Sequence, residues 1–273
     1  MNEEQIAYWN GPAAARWTTQ QQVLDRALEP FSAAALQLAA ADGGERAVDV
    51  GCGCGDTALA LAERVGLSGR VVGIDVSGPM LARAKQRAAG LSQLEFLQAD
   101  AATARFAPDH DLLFSRFGVM FFEDPIAAFA NLRGALRATG RLTFVCWRAF
   151  DDNPWAKLPV AAVQRVLPQT QDTWNSDLPG PYAFADRDKI ATTLSGAGFH
   201  AIGIERFDAA LIPPGSDLDS RVDFSINSGP AARLLTGAGP EIVAQVREEL
   251  ARSFAAQGNL ALTGSSWLVH ATV

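Results

Sequence analysis

The segment Val48-Asp-Val-Gly-Cys-Gly-Cys-Gly55 puts glycines at alternate positions behind a β-branched run. Lacking Cβ atoms, such a backbone turns tightly and admits a ligand at close range. A helix that follows directs its first N–H groups and the positive end of its dipole at a bound anion. Two acids come next at the ends of apolar runs. Asp75 closes Arg70-Val-Val-Gly-Ile-Asp75, about 20 residues beyond the glycines, where a carboxylate accepts from both hydroxyls of a ribose. Asp100 lies in Leu97-Gln-Ala-Asp-Ala101, where a carboxylate can accept from an adenine amine and the Ala101 N–H can read a ring nitrogen. The chemistry indicated is recognition of a nucleoside that carries an anionic group. A dinucleotide fingerprint, Gly-x-Gly-x-x-Gly, fits less well: its third glycine falls on Asp56, an acid facing a pyrophosphate.

These residues need strands and helices to hold them. Met1 to Asp42 reads as helical, with Val23, Ala27, Leu28, Phe31, Ala35 and Leu38 at helical spacing until Gly43-Gly44. Strands are expected at Arg46–Gly51, Arg70–Asp75, Leu94–Leu97, Asp111–Ser115 and Arg141–Trp147. The helices between them carry Leu59, Leu61 and Val65, then Met80, Leu81, Ala84 and Ala88 behind a Ser77 cap. A third starts at Asp124-Pro125, shows Ile126, Phe129, Leu132 and Leu136, and ends at Gly140. Such alternation implies a doubly wound α/β fold with a mostly parallel sheet, whose ligands bind beyond the carboxyl ends of the strands. Ala149 to Tyr182 reads as an insertion. Asp186 caps a further helix, and His200–Ile212 is strand-like up to Pro213-Pro214-Gly215. Ser220–Gln257 is mainly helical with breaks at Gly229-Pro230 and Gly237–Pro240, and Leu260–Val273 is a last, antiparallel strand.

Other chemistry-bearing residues have plainer readings. Cys52 and Cys54 lack the further ligands a structural zinc needs, so loop packing is favoured and no metal site is expected. His110, His200 and His270 fall on no expected ligand-binding strand end. Arg116 and Arg148 sit at strand ends, where each serves an acceptor carboxylate or an ion pair equally well. Aromatic residues gather near the same ends: Tyr8, Trp9 and Trp17; Phe117, Phe121 and Phe122; Trp147 and Trp155. Aromatic faces attract a cation and also build dry pockets or core. Glu123, Asp151 and Asp152 lie near the loops as bases on offer, and no catalytic residue is singled out.

A chain of 273 residues with a net charge of −7 and no Lys/Arg run is a poor partner for nucleic acid. An acidic, polar start and short apolar runs give no signal peptide or spanning segment, so a cytoplasmic location is expected, in keeping with only three cysteines.

Val48 to Gly55, Asp75, Leu97 to Ala101 and Ser115-Arg-Phe-Gly-Val-Met-Phe-Phe122 together resemble class I S-adenosylmethionine-dependent methyltransferases, in the bacterial group similar to ubiquinone/menaquinone C-methyltransferases. The likeness covers Arg46 to Trp147. It extends more loosely to Tyr8-Trp-Asn-Gly-Pro12, Asn153-Pro-Trp155 and Ala197-Gly-Phe199. It implies a Rossmann-like, seven-stranded sheet with a reversed last strand, and S-adenosylmethionine as cofactor. The residues implied around that cofactor are Asp49, Gly51, Gly53, Gly55, Asp75, Val76, Met80, Asp100, Ala101, Ala102, Ser115, Arg116 and Phe117, with Trp17 from the N-terminal helix. The organisation implied is a single domain: a helical lid (1–42), a cofactor-binding core (43–148), an insertion (149–185), and a C-terminal completion of the sheet with a helical insertion (186–273). The activity implied is methyl transfer to a small-molecule acceptor, without nucleic acid or membrane, in a chain free to form a homodimer. A nicotinamide-dependent oxidoreductase and a non-catalytic S-adenosylmethionine-binding module are the alternatives.

Overall fold

β1 (Arg46–Val50), β2 (Arg70–Asp75), β3 (Leu94–Gln98), β4 (His110–Arg116), β5 (Leu136–Trp147), β6 (His200–Leu211) and β7 (Leu262–Thr272) form one sheet in the order β3-β2-β1-β4-β5-β7-β6. This computed structural model describes residues 3–170, 176–211, 217–257 and 262–273. The first five strands pair in parallel, and β7 runs antiparallel to both β5 and β6. Strand order reverses between β1 and β4, so their carboxyl ends, at Val50 and Arg116, frame the crevice of a doubly wound sheet.

Helices cover both faces. α4 (Asp56–Val65), α5 (Gly78–Arg87) and α6 (Pro125–Arg133) follow strands, and α8 (Arg187–Gly196) precedes β6. Their starts are set by side chains: Ser77 Oγ accepts from Met80 N, Asp124 Oδ1 from Ala127 N, and Asp186 Oδ1 from Asp188 N. Phe114, Phe129, Phe144, Phe184 and Phe199 fill the main core without measurable exposure beyond 2%.

The N-terminal segment, read as one helical stretch, is three helices: α1 (Glu3–Asn10), α2 (Pro12–Thr19) and α3 (Gln21–Ala39). Gly11-Pro12 separates the first two, since proline at the start of α2 has no N–H to continue α1. The buried stripe of α3 centres on Leu24, Ala27, Leu28, Phe31, Ala35 and Leu36, with Val23 and Leu38 on its flank.

A second boundary also moves. α6 ends at Arg133 rather than Gly140, and Leu136 opens β5. Leu136 satisfies a helical period from Phe129, but its backbone finds a ladder partner in His110, and that pairing decides. Beyond Trp147, α7 (Pro154–Val166), α9 (Leu218–Asn227), α10 (Gly229–Leu234) and α11 (Pro240–Gln257) close round a core of their own, built on Val163, Val222, Ile226, Val246, Leu250 and Phe254. The two stretches, separate in the sequence, form one helical cap. Pro213-Pro214-Gly215, Ile212 and Leu260 lie outside the described residues. Among the described residues no helix is long and apolar enough to cross a membrane.

Candidate active site

The loop after β1 is held from two sides. Gly51 N and Cys52 N both donate to Ile74 O, at 2.8 and 3.1 Å, and Gly53 N donates to Asp75 Oδ2 at 2.8 Å. The loop after β4 crosses it in backbone contact. A Cβ on Gly51 would lie 2.7 Å from Gly118 Cα, and one on Gly118 would lie 2.5 Å from Val50 O. Gly51 also adopts φ +69°, in the left-handed region. Ser115 staples the crossing: its Oγ donates to Val50 O at 2.8 Å and accepts from Gly118 N at 3.2 Å.

Behind the loop, Asp49 is fully buried, and Thr57 Oγ1 donates to its Oδ2 at 2.7 Å. Burial raises the Asp49 carboxyl to about 7, against the opposing pull of the Thr57 bond and the Arg116 charge. Asp75 accepts from Ser77 N and Gly53 N, which offset part of the upward push of burial. A carboxylate has about four acceptor sites, so ribose hydroxyls can still be received there. Asp100 turns its own loop, with Oδ1 accepting from Ala102 N at 2.9 Å.

A cavity of about 460 Å³ opens along these strand ends. Of the residues expected from sequence, it brings together Gly51, Gly53, Asp75, Val76, Met80, Asp100, Ala101, Arg116, Phe117 and Trp17. Asp49, Gly55, Ala102 and Ser115 lie outside its lining: Asp49 and Ser115 brace the loops, Gly55 opens α4 at φ +86°, and Ala102 N ties Asp100. The candidate bases Glu123, Asp151 and Asp152 are also outside it; Asp151 pairs with Lys157 and Asp152 with Arg148. Arg148 bonds Asp208 as well, so the ion-pair reading holds for it. His110 is a structural residue, buried with Nδ1 against the carbonyls of Ala107 and Ala135. Cys52 and Cys54 are buried free thiols, and burial raises Cys54 to about 11.

Arg116 is not a surface residue either. Its side chain is 9% exposed, and Nη1 donates to Asp56 Oδ2 and Ser32 Oγ, both at 2.8 Å. Asp25 lies 3.8 Å from Arg116 and 3.0 Å from Arg87, which also donates to Cys54 O. The sequence reading missed this cluster of Asp25, Asp56, Arg87 and Arg116. Its signal was available: Gln21, Asp25 and Ser32 interrupt the apolar stripe of α3 with polar groups that need partners.

One wall of the cavity is aromatic. Phe117 takes φ +59°, rare for a bulky residue, and stacks on Trp147 with centroids 4.0 Å apart. Trp147 lies 5.0 Å from Trp155, and a Cβ on Gly229 would fall 2.4 Å from the Trp155 ring. Also in the lining, Trp9 packs edge-on to Trp17 and Phe121. The aromatic ladder thus runs from the end of β4 to the start of α10.

A methyltransferase-domain family model matches residues 47–140. The demethylmenaquinone methyltransferase of Staphylococcus epidermidis is 34% identical over 178 residues, 62% of this chain and 73% of that protein. Aklanonic acid methyltransferase DauC of a Streptomyces species is 36% identical over 104 residues, 37% of this chain; the match spans 47% of that enzyme's length. Among solved structures, the YcgJ protein of a Bacillus superposes with a TM-score of 0.58 at 17% identity, covering 89% of this chain and 98% of that one, a likeness of fold. The chain belongs to the class I S-adenosylmethionine-dependent methyltransferases. Its cavity fits that methyl donor on independent grounds. Acids stand at the ends of β2 and β3, where a nucleoside needs acceptors, and Gly51 and Gly53 of the glycine loop line the same cavity.

Proposed function

We propose that the chain transfers the methyl group of S-adenosylmethionine to a small, largely apolar acceptor seated against the aromatic ladder. The observation that carries this reading is the continuity of one cavity from Asp75 and Asp100 to Phe117, Trp147 and Trp155. On this reading Asp75 receives the ribose hydroxyls, Asp100 and the Ala101 N–H receive the adenine, and Asp49, Gly55, Ala102 and Ser115 act through the loops they brace. The donor supplies an activated methyl group, and the protein's work is to align the acceptor and exclude water.

The acceptor end supports a second feature. Among the described residues no imidazole lines the cavity, and its carboxylates are Glu4, Asp25, Asp75 and Asp100. On this reading Asp75 and Asp100 are given to the nucleoside and Asp25 to Arg87 and Arg116, which leaves Glu4 of α1 as a base. An acceptor that reaches the site already ionised, as a carboxyl or a strongly acidic enol does near neutral pH, needs no such base. The names of the relatives, a menaquinone precursor enzyme and an aklanonic acid enzyme, accord with such acceptors.

The single-domain organisation, with 1–42 and the helical cap over a 43–148 core, and a cytoplasmic setting are parts of the same proposal. The outer edge of β6, unpaired among the described residues, supports a homodimer, which ultracentrifugation would detect.

Calorimetry with S-adenosylhomocysteine, followed by mass-spectrometric screening of hydroxynaphthoquinones and polyketide acids, tests the function. Asp75→Ala should lose charge-assisted hydrogen bonds and weaken binding by about 10- to 100-fold with the circular dichroism spectrum retained. Absence of S-adenosylhomocysteine binding in the unsubstituted protein would overturn the reading.

A further inference from the structure

Three arginines line the cavity: Arg16, Arg116 and Arg233. Arg116 is committed to Asp56, Asp25 and Ser32. Arg233 has an interaction of its own. The Arg16 side chain, half-buried on the last turn of α2, makes no ion pair or hydrogen bond among the described residues. It stays unpaired although Glu4, Asp25, Asp75 and Asp100 line the same cavity.

The position of α2 says which ligand group this cation would meet. The carbonyl of Trp17, the next residue, lies 3.9 Å from Cys54 Sγ, and Ala14 packs with Cys54 and Met80. The end of α2 is therefore seated on the glycine loop, not on the aromatic ladder. That loop leads into α4, whose first residue is Asp56. The α4 N-terminus was expected to hold an anion through its dipole and N–H groups alone, yet a carboxylate stands in its first turn. Arg87 and Arg116 are occupied in neutralising that carboxylate together with Asp25. An anion arriving at the glycine loop thus needs another cation, and Arg16 is the one at hand.

We infer that Arg16 binds the carboxylate of the methionine moiety of the donor, as a positioning residue supplied by the N-terminal helices. The inference rests on the proposed donor site and deepens it. It adds a second residue of α2 to the donor's site, beside Trp17. A guanidinium matches a carboxylate with two parallel N–H donors, and a half-buried pair is screened less than a surface one.

The test compares two probes that share the nucleoside. S-adenosylhomocysteine carries the amino-acid tail, and 5′-methylthioadenosine lacks it. Calorimetry on Arg16→Met should show S-adenosylhomocysteine weakened by about 10- to 100-fold and 5′-methylthioadenosine unchanged. Arg16→Lys, which keeps the charge and loses the fork, should fall between. Equal losses for both probes, or no loss for either, would overturn the inference while leaving the donor site standing. An unsubstituted protein that binds neither probe would overturn both. Circular dichroism of Arg16→Met guards against a folding defect, and a loss on S-adenosylhomocysteine alone cannot come from one.

Discussion

Asp49 pays for its place behind the glycine loop. Its carboxyl, at 3.8 in an unfolded chain, is lifted to about 7 by burial. Between those values the folded protein holds a proton that the unfolded chain has released, so this residue's contribution to stability falls as pH rises through the window and levels off above it. Asp49→Asn removes the titration while keeping an acceptor for Thr57. The variant should be more stable than the parent at about pH 8, by a few kcal/mol at most, since each pH unit crossed between the two values costs the parent roughly 1.4 kcal/mol. The gain should shrink toward zero as pH approaches the ordinary carboxylate range, and thermal melts across pH would read it. At the neighbouring crossing, Gly118→Ala drives a Cβ to 2.5 Å from Val50 O and 2.9 Å from Gly51 Cα, both backbone atoms that cannot swing aside. We expect loss of measurable S-adenosylhomocysteine binding at concentrations that saturate the parent, because the two loops must separate to admit the methyl group.

At the scale of elements, the N-terminal helices and the cap both line the cavity. If α2 belongs to the donor's site, its amides should exchange more slowly once S-adenosylhomocysteine is bound and stay unchanged with 5′-methylthioadenosine. Slowing by both would assign the ordering to the nucleoside instead. In the cap, a Cβ on Gly229 would lie 2.4 Å from the Trp155 ring, so Gly229→Ala should displace the end of the ladder. Methyl transfer to a confirmed acceptor should then lose kcat/KM with donor affinity retained, and steady-state kinetics beside calorimetry separates the two. These elements were unequally legible from sequence. The glycine loop, Asp75 and Asp100 were readable because strand, turn and acid lie within a few residues of one another. Leu136 was misplaced because it fits a helical period as well as a strand, and only its distant partner His110 resolves it. The cluster of Asp25, Asp56, Arg87 and Arg116 spans α3, α4, α5 and β4; the polar breaks in the α3 stripe say that partners are needed, and no local pattern names partners so distant in the chain.

For the whole molecule, two separate cores carry a consequence. The sheet and its helices share one core, while α7, α9, α10 and α11 share another, smaller one. Trp155 packs against both, Ala156 of α7 and Phe224 of α9 belong to the larger core, and Leu262 of β7 belongs to the smaller one. The smaller core should open on its own at a lower free energy than the sheet. Native-state hydrogen exchange would then show α9 to α11 exchanging in mild denaturant while β1, β4 and β5 remain protected. A single cooperative loss of protection across both regions would show instead that the cap and the sheet unfold together.

Trp147 and Trp155 lie 5.0 Å apart at an interplanar angle of 43°, and Trp147 also lies flat on Phe117. Two indoles so near and so skewed share their electronic transitions, and the sharing is written in circularly polarised light. The pair should give a two-signed band that depends on the angle between the rings. A guest that slides against them and turns either ring by a few degrees changes that band, whether or not anything is transferred to it. The protein therefore carries a built-in optical gauge for its second ligand. Compounds can be ranked by the signal they alter, in plain buffer, before anyone knows which atom receives the methyl group.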